Sequence, residues 1–394
     1  MAQNLKERLK RIRDTGNKKT HEDEKPRQEV FDLSGWPGWE NSGYLTLKRS
    51  VSRELSFSLP DTFSKALAIL VPDFLRQGKI PATEELLFFD FETTGLSGGA
   101  GTVIFLAAFG RFVYPSKIEI SQYLLLDYPG EPDFIERVLS ELTSPLPIPQ
   151  SPVPVLVSYN GKSFDSQILN NRCLLNGIKP PVLLHADLLH PARRLWKRLL
   201  PDCSQSTVEV SILGLDRTGD ISGALAPEIW FSFLRGEKNR EDLIQALFAV
   251  CYHNIRDILG LSSIFLALTE IAARPLETHK FRIDEEALAF SYKTALKKFP
   301  FFFKGDDSHA KTGKTLLETA ARNGHPRAAL THFRSLAIDA EWRLKDPVLA
   351  LRYTESALAL KDLSQSIRDE LEKRRRRLNG KLHNRLTGST STSR

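Results

Sequence analysis

The chain has 394 residues, 26% of them charged and 41% hydrophobic, which at roughly 150 residues per domain predicts two or three domains of ordinary globular character. Its formal charge is +7, yet residues 1–28 carry +4 and residues 361–394 carry +6, leaving −3 for the stretch between them. That excludes a body that is a uniformly basic clamp for nucleic acid, so any attraction for phosphate there must come from local patches or bound cations.

Residues 1–28 read as a basic flexible tail, in which Leu5, Leu9 and Ile12 at helical spacing allow a short amphipathic helix over Asn4–Asp14. Residues 29–80 are an N-terminal extension of turn signals and short alternating stretches that suggest no chemistry. From Leu86 to Phe91 an apolar run that admits an acid suits a buried central strand. A Gly-rich turn, Ser97–Gly101, leads to strands over Val103–Val113 and Ile118–Leu126. Phe134, Val138, Leu139 and Leu142 predict a helix over Asp133–Leu142, followed by a Pro-rich connector at 145–154. Val155–Tyr159 reads as a strand, Phe164–Asn176 as a helix closed by Gly177, and Val182–Leu188 as the last strand. A long helix follows over 240–270.

Short links imply antiparallel neighbours and helical crossovers imply parallel ones. The expected fold is therefore an α/β mixed sheet, three antiparallel strands and then parallel ones, with flanking helices, over residues 81–275. Ala320–Leu336 and Leu349–Leu360 predict an all-helical appendage over 276–372. It looks tetratricopeptide-like, although Pro326 and Pro347 are 21 residues apart where that repeat needs about 34. Residues 373–394 read as a basic, Ser/Thr-rich tail.

Cys173, Cys203 and Cys251 are scattered and odd in number, which gives neither a disulfide framework nor a zinc ribbon and points to a reducing compartment. The longest apolar run, Val103–Phe109, is far below the roughly 18 residues of a membrane span. The first 28 residues lack a signal peptide's apolar core. A cytoplasmic location without membrane contact is expected.

Three places suggest chemistry. Asp90 and Glu92 alternate along a strand and so share a face. Two buried acids side by side are costly unless a cation sits between them. Asp165 follows the Val155–Tyr159 strand in Asn160-Gly-Lys-Ser-Phe-Asp165, where it either reaches a shared cation or caps the helix. His253 and Asp257 lie one turn apart on the long helix and offer a carboxylate ligand beside an imidazole, the side chain that titrates nearest neutrality. Arg193, Arg194, Lys197 and Arg198 around Trp196 form either a phosphate-holding, base-stacking helix or a solvated face with one buried Trp. Asp187 is a candidate for supporting the cation site. Gly98, Gly99 and Gly101 do not have dinucleotide-fingerprint spacing. Gly313-Lys314-Thr315 lacks the first P-loop glycine, its place being taken by Ser308, so ATP binding is not expected there.

Taken together, Asp90, Glu92, Asp165 and Asp257 resemble the acid set of the DEDD superfamily of two-metal 3′-5′ exonucleases, on a ribonuclease H-like sheet. The strings Glu92-Thr-Thr-Gly-Leu-Ser-Gly-Gly-Ala-Gly-Thr102, Tyr159-Asn-Gly-Lys-Ser-Phe-Asp165 and His185-Ala-Asp-Leu-Leu-His-Pro-Ala-Arg-Arg-Leu-Trp196 are more closely similar to the YprB-type ribonuclease H-like family, over about residues 85–270. The resemblance implies a metal-dependent nuclease acting on DNA or RNA, single-stranded by expectation, with two Mg²⁺ or Mn²⁺ ions. By the family pattern Asp90 bridges the ions, Glu92 and Asp257 hold the water-activating one, and Asp165 supports the other. Thr93, Asn160 and Phe164, with Arg193, Arg194 and Lys197, are expected to meet nucleic acid. The sequence departs from the superfamily at the base, where Tyr is expected four residues before the last Asp or His five before it. Here His253 holds the four-before place and Tyr252 the five-before place, and His253 is the favoured base. The rival expectation is a catalytically inactive scaffold that keeps the fold and holds a protein partner on its C-terminal helices.

Overall fold

The structure is a computed structural model and describes residues 32–95, 101–144, 153–237, 239–277 and 281–388. The basic tail at 1–28, most of the Gly-rich turn, most of the Pro-rich connector and residues 389–394 lie outside the described residues. Strands β1 (Trp39–Gly43), β2 (Thr46–Glu54), β3 (Leu86–Thr93), β4 (Ile104–Val113), β5 (Lys117–Leu125), β6 (Val155–Ser158) and β7 (Leu184–Asp187) form one sheet in the order β1-β2-β5-β4-β3-β6-β7. Pairing is antiparallel from β1 to β3 and parallel from β3 through β6 to β7. This is the ribonuclease H-like mixed sheet, enlarged at one edge by a hairpin. That hairpin corrects the reading of residues 29–80 as an extension: β2 pairs with β5 along its whole length. Its polar sequence, TLKRSVSRE, gives no apolar stripe, because it lies toward the sheet's edge and faces solvent along much of its length.

The central strand β3 is buried on both faces, which is why its sequence is continuously apolar. Leu87, Phe89 and Phe91 enter one apolar cluster, Leu86 and Phe88 the other. Asp90 and Glu92 continue the Leu86/Phe88 face. Helices α1 (Leu67–Leu70) and α2 (Pro72–Gln77) precede β3, and α3 (Glu131–Thr143) and α4 (Asp165–Leu175) flank β6. After β7 come α5 (Leu189–Trp196), the single turn α6 (Gln205–Val208), α7 (Ala226–Arg235) and α8 (Arg240–Ala273). Asn239 caps α8, accepting from the Glu241 amide at 3.1 Å. Ile255, Ile258, Leu261 and Phe265 of α8 join the Leu86/Phe88 cluster, which lays this helix across the face that carries Asp90 and Glu92.

The C-terminal helices are α9 (Glu285–Lys298), α10 (Ser308–Arg322), α11 (Pro326–Trp342), α12 (Pro347–Leu358) and α13 (Gln365–Gly388), and from α9 on each packs on the next. Within the stretch Ala320–Leu336, Gly324 at φ +85° turns the chain and Pro326 opens the following helix. The basic tail expected from 373 is helical as far as Gly388, and Arg377 and Lys381 bind the buried Glu341 of α11 at 2.6 and 2.7 Å. The appendage does not stand apart, since Leu288, Tyr292 and Leu316 belong to the same apolar cluster as Phe88. The three cysteines are unpaired. Among the described residues no helix is long and apolar enough to cross a membrane.

Candidate metal centre

Three elements deliver the four acids. Asp90 and Glu92 stand on β3, Asp165 opens α4 just beyond β6, and Asp257 lies in the middle of α8. Burial, followed by the charges of Asp257 and Asp165, holds the Asp90 carboxyl well above the usual range. Burial likewise raises Glu92, with Asp90, Asp257 and Asp165 adding to it. Burial pushes Asp165 up to about 7. The four acids thus sense one another electrostatically. Glu92, His253 and Asp257 come closest: each offers a ligand atom, and these atoms all lie within 4.8 Å of one another.

Asp90 is oriented by a relay that the sequence did not announce. Its Oδ2 accepts from Asn254 Nδ2 at 2.8 Å. The Asn254 Oδ1 accepts from Gln122 Nε2 at 2.9 Å, and Gln122 Oε1 accepts from Arg49 at 2.6 Å. Asn254 and Gln122 are fully buried, so these bonds satisfy groups that would otherwise be costly to bury. The pattern His-Asn-x-x-Asp contained Asn254 in plain sight, but a buried Asn has no sequence signal until its partner strand is known.

A second network surrounds His253. Its Nδ1 lies 3.0 Å from Asp220 Oδ1 and its Nε2 lies 3.2 Å from Asp257 Oδ2. Arg217 donates to Asp257 Oδ1, Asp220 and Glu209, each at 2.6 Å. Although burial opposes the charge on Arg217, its three acids push its pKa up. Glu209 is buried in a π-helical turn, Glu209–Leu213, of a kind often found at functional sites. It can approach α8 only because residue 260 is glycine, where a Cβ would lie 1.6 Å from Glu209 Oε1. Arg217, Asp220 and Glu209 were missed because they occupy a segment without periodicity or motif.

The remaining expectations divide. Tyr252, the rival base, is half exposed with Arg256 over its ring at 5.8 Å, whereas His253 points into the acids. Thr93 is buried and donates to the Gly95 carbonyl at 3.0 Å. Phe164 packs against the core at the start of α4. Asn160 adopts φ +66°, and its amide and that of Lys162 donate to Asp187 at 2.8 and 3.2 Å. Asp187 also accepts from the Leu189 amide at 3.0 Å, so it ties down the turn that presents Asp165. Trp196 is fully buried and donates to the Arg282 carbonyl at 3.0 Å, which removes it as a base-stacking platform. Arg194 donates to the Leu70 carbonyl at 3.2 Å, and Arg193 and Lys197 are exposed.

The donor set suits a hard divalent cation, which prefers carboxylate oxygens. Carboxyls raised by burial and mutual repulsion are short of positive charge, and of the four acids Arg217 pairs with Asp257 alone. The sequence profile of the RNase_H superfamily matches residues 87–269. The uncharacterized protein YprB of Bacillus subtilis (strain 168) is 37% identical over 209 residues, a match that covers 52% of this chain and 46% of that protein.

Proposed function

We propose that this chain, whose residues 87–269 form an RNase H superfamily domain of the YprB type, is a metal-dependent nuclease that removes nucleotides from the 3′ end of DNA or RNA strands. The observation that carries this reading is the convergence of Asp257 and His253 from α8 onto Glu92 of β3, with ligand atoms within 4.8 Å, beside Asp90 and Asp165. Asp90, Glu92, Asp165 and Asp257 would hold two Mg²⁺ or Mn²⁺ ions. Bound there, such a pair would supply the charge that holds a scissile phosphate and eases deprotonation of the attacking water.

The protein's own residues do the rest. Asp220 holds Nδ1 of His253, which fixes the ring, and Nε2, 3.2 Å from Asp257 Oδ2, would take the proton once a bound cation engages that carboxylate in its place. Asn254 keeps one Asp90 oxygen engaged, so that the carboxylate presents a constant face. Asp187 fixes the turn before Asp165. Asp90, Asp257 and the turn before Asp165 are thereby placed by partners outside the cation site, as in metal centres generally.

One observation favours a second reading, the inactive scaffold. Both Asp257 oxygens are already engaged, by Arg217 and His253, so the chain's own cations answer this acid. Incubation of 3′- and 5′-labelled single strands of both nucleic acids, with Mn²⁺ and with chelator, separates the two. A ladder from the 3′ end that chelator abolishes is expected. Inertness on every strand would leave the scaffold.

A further inference from the structure

A groove of about 490 Å³ lies where the sheet domain meets the helical appendage. Its floor includes Ile69 and Leu75 from the sheet domain and Phe290 and Phe299 from the appendage. Its rim is basic from both sides: Arg76 on α2, Arg193 on α5 and Lys197 just after it face Lys298 on α9 and Arg327 on α11. The one acid among the lining residues, Glu286, is already answered, by Arg198 at 2.6 Å and by the Ala328 amide at 2.9 Å. Among the described residues Arg193, Lys197, Lys298 and Arg327 form no ion pair. Arg327 lies 5.0 Å from the Phe290 ring centre, and Lys298 lies 5.5 Å from that of Phe299.

We infer that this groove binds a nucleic-acid single strand, its phosphates against the cations of both parts and its bases against the Phe290 and Phe299 pairs. The combination decides the class of partner. Unanswered cations along an open groove attract any polyanion, whereas aromatic rings among them recognise the flat faces of unpaired bases. An acidic peptide would use the charge and leave the rings idle. The body's net charge of −3 between the basic ends makes this local concentration of cations the more pointed. Along the chain, α5 follows on Asp187, which secures the turn before Asp165. The inference deepens the nuclease reading by giving the appendage a substrate-holding role, and it rests on that reading only for calling the strand a substrate.

The test is the salt-dependent binding of a fluorescent 20-nucleotide single strand to the full chain, in chelator to prevent turnover. Two exposed pairs are changed, R193E/K197E and K298E/R327E, with R375E/R376E on α13 as a control of equal charge change. Each groove pair is expected to weaken binding about tenfold or more and to flatten the dependence of log K on log salt by about 0.7 for each phosphate no longer neutralised. The control pair is expected to change little. Equal weakening by the control, or displacement of the strand by polyglutamate as readily as by unlabelled oligonucleotide, would overturn the inference. So would native affinity in both groove variants with unchanged thermal unfolding. Cleavage of a labelled dinucleotide, too short to span the groove, reads the metal centre alone. If native protein leaves it intact while the groove pairs still lose the long strand, the nuclease reading fails and the binding groove stands.

Discussion

Burial raises the Asp165 carboxyl to about 7, and Asp90 and Glu92 are raised for the same first reason, so the centre couples proton binding to stability. An unfolded Asp loses its proton near pH 4, while the folded one keeps it to about 7. The folded state therefore holds the extra proton between those values, and stability falls as pH rises through that window. Metal-free protein should unfold at a lower temperature at pH 8.5 than at pH 6, and Mn²⁺ should restore more at pH 8.5, where Asp165 has already lost its proton. Scanning calorimetry with and without chelator measures both. A pH slope unchanged in Asp165→Asn would show that this group is not its source.

At the same scale, His253 and Asp220 have separable roles. His253→Ala should lower turnover by about 10²–10⁴-fold, the usual worth of a positioned base. Asp220→Asn keeps a group beside Nδ1 and should lose less, mostly in kcat and little in KM. An equal loss in KM would indicate a strand-binding role. None of this pairing was legible in the sequence. Strand alternation and helical spacing singled out the Asp90/Glu92 and His253/Asp257 pairs, and the family resemblance joined Asp165 to them. Asp220 and Arg217 sit in irregular chain, where no period relates a residue to its partner.

At the scale of elements, α8 is the part on which the centre depends. Its i, i+4 pair was readable, since His253 and Asp257 share a face in any helix. What brings that face close to Glu209 was not readable: the absent side chain at residue 260. Gly260→Ala should displace Glu209 and its partner Arg217, with a loss of about 3–5 kcal/mol if the buried pair is broken. Denaturant unfolding would register it, and a loss below about 0.5 kcal/mol would show that the turn simply shifts aside. The hairpin of β1 and β2 was missed for the opposite reason. Strands near the sheet's edge carry polar residues, so the sequence of β2 resembles a loop until β5 is seen beside it.

Across the whole molecule, the change from antiparallel to parallel strands followed from loop lengths and crossovers, whereas the union of sheet domain and appendage did not. Residues that clasp the two, Arg198 of the α5 end on Asp284 and Glu286 of the α9 start, read in sequence only as one more cation in a basic run. Both acids are buried while Arg198 is half exposed. Arg198→Ala leaves them without their counter-charge and should hasten proteolysis within residues 276–388 more than within the sheet, as peptide mapping over time would show. Uniform cutting would mean that the apolar packing of Leu288 and Tyr292 holds the parts without the clasp.

Asp90, Glu92, Asp165 and Asp257 are proposed to share divalent cations that cut phosphodiester bonds. Electron paramagnetic resonance can count Mn²⁺ bound to native protein, Asp90→Asn and Asp257→Asn, with strand cleavage followed in the same samples. Native protein is expected to bind Mn²⁺ tightly and to cleave, and each folded variant to lose at least one bound ion together with cleavage. Full Mn²⁺ binding and unchanged cleavage in both variants would contradict it.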